Sequence, residues 1–269
     1  SSALGFSRVA TLGSITDLRQ GEEKVMLRIQ SDQAPGYLRA CAYDFYRRGQ
    51  WLSNSPRVRL TARQAAPGPG EVRRYFSLYD TPATPRMEIW MGPMLQDSLF
   101  LPADAVALHA AANAVLRDGK GMVIPERLNP RIPVGVYVGE VPKTLPEPAG
   151  TLLWVPEWLD PRIQDLARSI SRGRESPREI AAAVEGFFHA QFRYQIGIEV
   201  PPGTEPINYF LIERPPAHCE FFAAGAVMLL RLAGVPCRYV TGFVSTEQNP
   251  VDGAWLARNR DAHAWVEAY

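Results

Sequence analysis

Apolar and polar positions in the first half of the chain alternate with the period of two that a pleated strand requires. Val25, Leu27 and Ile29 alternate with Met26 and Arg28, and Val58 and Leu60 with Arg57 and Arg59. Met87, Ile89 and Met91 repeat the pattern, as do Val134, Val136 and Val138. Turn formers such as Pro67-Gly68-Pro69-Gly70 punctuate these runs. The alanines between Ala103 and Leu116 permit a helix, but Asp118-Gly119-Lys120-Gly121 reads as a hairpin turn, so strands are expected on both sides of it. Short strands separated by such turns predict a β-rich, sandwich-like domain over residues 1–150.

Pro142, Pro146, Pro148 and Gly150 then mark a linker, and over 151–269 the period changes to that of helices. Asp160-Pro161 offers an N-cap and a first-turn proline, followed by Ile163, Leu166, Ala167 and Ile170 at helical spacing. Ser176 and Glu179 form a capping box for a helix whose apolar face is Ile180, Val184, Phe187 and Phe188. A third helix starts at or just after Cys219. It is apolar nearly all round, which predicts burial, and Gly234 and Pro236 end it. Cys237 to Val244 reads as a strand, Ser245 to Arg260 as a polar loop, and a last strand begins at Ala262. The expected class is therefore α+β, with the cysteine-bearing helix packed on an antiparallel sheet.

Composition narrows the function classes. The 269 residues are 46% hydrophobic with a net charge of +1, so there is material for a large core and no electrostatic footprint for nucleic acid. No apolar run is long enough for a membrane helix. Cys41, Cys219 and Cys237 are too few and too odd in number for a disulfide framework.

Cys219 stands where a loop meets the start of a buried helix. Unpaired N–H groups and the helix dipole there favour a thiolate and face the oxygen of a tetrahedral intermediate. His263 lies 44 residues further on, sharing one strand face with Trp265, Glu267 and Tyr269. A histidine so placed can take the thiol proton and return it to a leaving amine. Read singly, a buried cysteine and a lone histidine are both commonly structural. His218, Cys219, Cys237 and His263 lack the paired spacing of zinc ligands, and no metal or organic cofactor is expected. Cys41 and Cys237 read as core, His109 and His189 as structural, and Glu267 as a solvated strand residue. Trp265 reads as packing on the cysteine helix or walling the cleft. Tyr194 and Tyr209 are both candidates to line the cleft, and His218 to tune it.

Two separated motifs then coincide. Cys219-Glu220-Phe221-Phe222-Ala223, Leu229-Leu230-Arg231-Leu232-Ala233-Gly234-Val235-Pro236-Cys237-Arg238 and Tyr239-Val240-Thr241-Gly242-Phe243 are followed by His263-Ala264-Trp265-Val266-Glu267. In order, spacing and residue type, Tyr194 to Tyr269 resembles the core of the transglutaminase-like superfamily. The resemblance implies a papain-like core with Cys219 as nucleophile and His263 as base. It also implies acyl transfer from protein or peptide carboxamides through a thioester, ending in amine transfer or in hydrolysis. The family's third residue, an Asp on the following strand, would fall beyond Tyr269, so the core is expected to be incomplete here. Pro215-Pro216-Ala217-His218 departs from the glycine that relatives often carry before the cysteine. Leu12-Gly13-Ser14-Ile15, Val25-Met26-Leu27-Arg28 and Tyr46 through Trp51 resemble bacterial membrane-anchored members of the superfamily. That implies an extracytoplasmic portion, tied to the membrane only by helices outside this stretch, with a protein or peptide substrate. The rival expectation is a non-catalytic peptide-binding or scaffolding module.

Overall fold

A computed structural model describes residues 6–62, 72–95, 97–142 and 149–269. The Pro67–Gly70 turn and the prolines 146 and 148 of the linker lie outside them. The chain opens with β1 (Val9–Thr11) and a short helix, α1 (Ser14–Gln20), for which the sequence pattern gave no signal. Next come β2 (Val25–Ser31), β3 (Gly36–Tyr43), β4 (Phe45–Arg47), β5 (Gln50–Leu52) and β6 (Arg57–Leu60). The β-rich half is completed by β7 (Arg74–Ser77), β8 (Thr84–Met91), β9 (Ala105–Ala110), β10 (Ala114–Asp118), β11 (Val123–Glu126) and β12 (Val134–Val138). The alanine-rich stretch is thus strand, and β10 and β11 pair across the expected turn.

Beyond residue 150 lie α2 (Pro161–Ser171), α3 (Pro177–Gln191), α4 (Pro206–Glu213) and α5 (Cys219–Leu232). Asp160 caps α2, and Ser176 and Glu179 cap α3 reciprocally, as their spacing requires. The sequence reading passed over α4, although Glu205 caps it and proline occupies its first turn. Then follow β13 (Cys237–Ser245), β14 (Glu247–Gln248), β15 (Trp255–Arg258) and β16 (Ala262–Ala268). The supposed polar loop after β13 therefore contains two strands.

The sheets join the two halves of the chain. β14 and β15 extend a seven-stranded antiparallel sheet of order β14-β15-β2-β8-β12-β9-β7, whose other strands all precede residue 150. In the other direction β3 pairs with β13, giving a three-stranded sheet β16-β13-β3. Two smaller sheets, β1-β5-β4 and β11-β10-β6, complete the β structure of the described residues. Leu27, Leu108, Phe210, Leu229 and Tyr239 belong to one continuous apolar cluster, so the core runs across the linker. The fold is α+β, as the sequence predicts. Among the described residues no helix is long and apolar enough to cross a membrane.

Candidate active site

α5 begins at Cys219 because His218 is extended and the apolar run starts there. The chain entering the helix is anchored from the segment after α3. Ala217 bridges Tyr194 in parallel; Gln195 N–H donates to the Ala217 carbonyl at 2.7 Å, and Ala217 N–H to that of Arg193 at 3.1 Å. This bridge brings Tyr194 beside the cysteine, where its phenol oxygen accepts from the Cys219 backbone N–H. Phe188, Phe210 and Leu211 crowd Gly225 nearly two turns further on, so α3 and α4 press against α5 and hold the sulfur's position.

His263 lies on β16 opposite Gly242 of β13. A Cβ on Gly242 would sit 2.0 Å from the Leu38 carbonyl oxygen and 2.9 Å from the Trp265 ring, so no side chain fits there. The glycine lets β3 close on β13 from one side while Trp265 lies across it from the other. The residue after the histidine supplies the link to the helix: Ala264 N–H donates to the Cys219 sulfur. Cys219 and His263 line the same cavity of about 480 Å³, walled by Val184, Phe188, Phe222, Leu230 and Trp265.

Burial governs the electrostatics of the pair. It raises the Cys219 thiol above its ordinary value, as does the neighbouring Glu220 carboxylate, against the Ala264 N–H and Arg19, which pull it down. Burial also drives His263 down to about 4, with the positive charge of Arg19 acting the same way. At neutral pH the two rest as thiol and neutral imidazole. Such a pair suits general-base chemistry, in which the proton moves as the sulfur attacks.

The other residues singled out from sequence are dispersed. Tyr194 lines the cavity and Tyr209 does not. His189 reaches the cavity wall from α3, near Glu185. His218 is buried, with Nε2 3.0 Å from Oε2 of Glu220. Glu267, expected to be solvated, forms an ion pair with Arg39 at 2.8 Å. Cys41 and Cys237 are pushed up to about 11 by burial. Among the described residues no three His, Cys, Asp or Glu side chains gather as metal ligands would.

Three residues at the site were given no role of their own in the sequence reading. Arg19 of α1 directs Nη1 to the Tyr194 hydroxyl at 2.9 Å and to the Cys219 sulfur at 3.8 Å. Glu220 is wholly buried, and Asn259, just before β16, nearly so. A carboxylate in an otherwise apolar helix was the available clue, because a buried charge must find donors.

Residues 164–269 match the family model for the transglutaminase-like superfamily. A protein-glutamine gamma-glutamyltransferase of Pseudomonas aeruginosa is 33% identical over 118 residues, and the uncharacterized protein YebA of Bacillus subtilis 30% over 122. Each alignment takes in 43% of this chain and 17% of the relative. The crystal structure of the periplasmic domain of TgpA from Pseudomonas aeruginosa superposes with a TM-score of 0.73 at 21% identity, covering 98% of this chain and 89% of that one. The fold is thus shared almost end to end, and the match to the transglutaminase-like superfamily falls on the stretch from within α2 to the close of β16.

Proposed function

We propose that the chain performs cysteine-dependent acyl transfer on protein or peptide carboxamides, with Cys219 as nucleophile and His263 as general base and acid. The observation that carries this reading is the Ala264 N–H on the Cys219 sulfur, which ties the nucleophile's helix to the strand of the histidine at the edge of one apolar cavity.

In the first step His263 takes the S–H proton as the sulfur attacks the carboxamide carbon. The carbonyl electron pair moves to oxygen, near the helix N-terminus. The tetrahedral intermediate collapses to a thioester, and the imidazolium returns the proton to the departing ammonia or amine. A primary amine as acceptor gives a new amide; water gives an acid. The name of the Pseudomonas aeruginosa relative supports transfer to an amine. The fold shared with a periplasmic domain supports an extracytoplasmic location.

The test is labelling followed by turnover. Iodoacetamide near neutral pH should modify Cys219 before Cys41 or Cys237, as read by peptide mass. The same protein should release ammonia while incorporating a fluorescent primary amine into a glutamine-bearing protein, and Cys219→Ala should do neither. Labelling of Cys219 no faster than that of the other two cysteines in folded protein overturns the reading.

A further inference from the structure

The N-terminal helix α1 is docked against both elements of the candidate site, and its attachments fall beside the two reacting residues. At its start, the Glu220 carboxylate accepts at Oε2 from Gly13 N–H (3.1 Å), from Thr16 N–H (3.3 Å) and from the Thr16 hydroxyl (3.3 Å). Glu220 follows the nucleophile directly. At the other end, Asn259 Nδ2 donates to the carbonyls of Leu18 (3.0 Å) and Gly21 (3.2 Å), and its Oδ1 accepts from Lys24 N–H (3.0 Å). Asn259 stands four residues before His263. A helix of seven residues has little stability of its own, so these bonds fix its place. They hold the last turn of α1 where Arg19 reaches the sulfur and the Tyr194 hydroxyl.

We infer that Arg19 is a catalytic residue of the proposed acyl transfer, carried into the site by α1, and that its guanidinium pairs with the Cys219 sulfur as the thiol loses its proton to His263. The inference rests on the assignment of Cys219 as nucleophile. Bond changes are those of the first step above: the S–H proton goes to an imidazole nitrogen, and the sulfur lone pair forms the C–S bond. Arg19 transfers nothing. Its fixed positive charge favours the transient thiolate and disfavours imidazolium, which urges His263 to pass its proton on to the leaving group. The Nε of Arg19 is buried and has no partner, so the guanidinium is not consumed by a structural role as that of Arg231 is. Glu220 and His218 sit behind the nucleophile, with Glu220 Oε2 turned to α1 and to His218, so the carboxylate acts as the anchor of α1 rather than as a partner for the sulfur.

Arg19 from α1, Tyr194 from the segment after α3 and His263 from β16 face the sulfur, with His218 and Glu220 behind it at the start of α5, and the Glu220 carboxylate opposes the thiolate that Arg19 favours. Removing Arg19 should therefore raise the midpoint of Cys219 alkylation against pH by about one to two units. The rate at neutral pH should fall only roughly three- to tenfold, because a more basic thiolate is also a better nucleophile. A purely structural role would not alter charge preference. The decisive readout is therefore the ratio of Cys219 alkylation by anionic iodoacetate to that by neutral iodoacetamide, in the full 269-residue chain. Arg19→Gln should lower that ratio and raise the midpoint, and Arg19→Lys should restore much of both. Should Arg19→Gln lose its cooperative melt, Arg19→Met keeps the stem's packing and is read in the same way. A folded Arg19 variant with unchanged ratio and midpoint overturns the inference while leaving Cys219 as nucleophile. A wild-type Cys219 no more reactive than Cys41 and Cys237 instead removes the assignment on which it rests.

Discussion

The two ends of α5 each hold a buried polar cluster, and the clusters are finished to different degrees. At the C-terminal end Arg231 spends its donors on main-chain carbonyls: Nε and Nη2 on Cys237 at 3.1 and 2.9 Å, Nη1 on Asp44 at 2.6 Å and Trp154 at 2.8 Å. These bonds tie the helix to β13, to the junction of β3 and β4, and to the segment before α2. At the N-terminal end Nδ1 of His218, Oε1 of Glu220 and Nε of Arg19 are buried without a partner, and a cavity opens beside Cys219. Buried polar groups are normally satisfied, and a structural cluster is the first place this is enforced. The contrast between these two clusters supports the proposed reading, in which one end of the helix fastens and the other reacts. Substitutions at the two ends should accordingly fail in different assays.

The largest effect should come from Cys219→Ala. Amine incorporation should fall by roughly 10³-fold or more, because the remaining groups form no covalent intermediate. Its denaturation midpoint should scarcely move. Arg231→Met should give the reverse pattern. It strands the Cys237, Asp44 and Trp154 carbonyls, a loss on the order of 3–5 kcal/mol in chemical denaturation. Whatever folds should still label at Cys219. An Arg231→Met protein that is stable but unreactive at Cys219 would erase the distinction between the two ends.

Acid should probe the chemical end next. His263 titrates near 4 in the folded protein and near 6.5 when unfolded, because burial and Arg19 both oppose its charge. The unfolded chain thus binds the proton more readily over that interval. The contribution of His263 is complete above about pH 6.5 and is lost as pH falls toward 4, amounting to about 2 kcal/mol after allowance for its partial exposure. In His263→Phe this part of the acid sensitivity should vanish, as urea midpoints measured across the interval would report. An identical acid profile in the two proteins would mean that His263 is solvated.

How much of this was legible beforehand depended on the range of the interaction that carried it. The caps at Asp160 and Ser176 are local, and they stand where their spacing put them. The strand character of β13 and β16 was also readable from their residues, and the two pair. Long-range events were not. Nothing in Trp255–Arg258 announces that it will join a sheet built from the other half of the chain, or that β3 will close on Gly242. α1 is too short for a periodic signal, and it starts at a left-handed Gly13, a residue more usual at a helix end. Apart from His218, the partners of Glu220 came from more than 200 residues away, so the carboxylate advertised a need without naming who would meet it.

The finest test sets the two cysteines of this region against each other. Cys237 opens β13 beneath α5, fully buried, with its sulfur 3.6 Å from the Val227 carbonyl oxygen. Burial pushes its thiol up to about 11, although the Arg231 guanidinium pulls the other way. A thiol of that kind is almost wholly protonated at neutral pH and shielded from reagents, so it should stay unlabelled until the protein unfolds. Cys237→Ala removes one sulfur from a packed site, and the cavity left should cost about 1 kcal/mol. Amine incorporation by this variant should match the parent at temperatures where both are folded. The two replacements delete the same atom from neighbouring elements, so size and chemistry are held constant between them. If Cys237→Ala lost turnover in proportion to Cys219→Ala, the difference between a fastening end and a reacting end of α5 would collapse into a single dependence on packing.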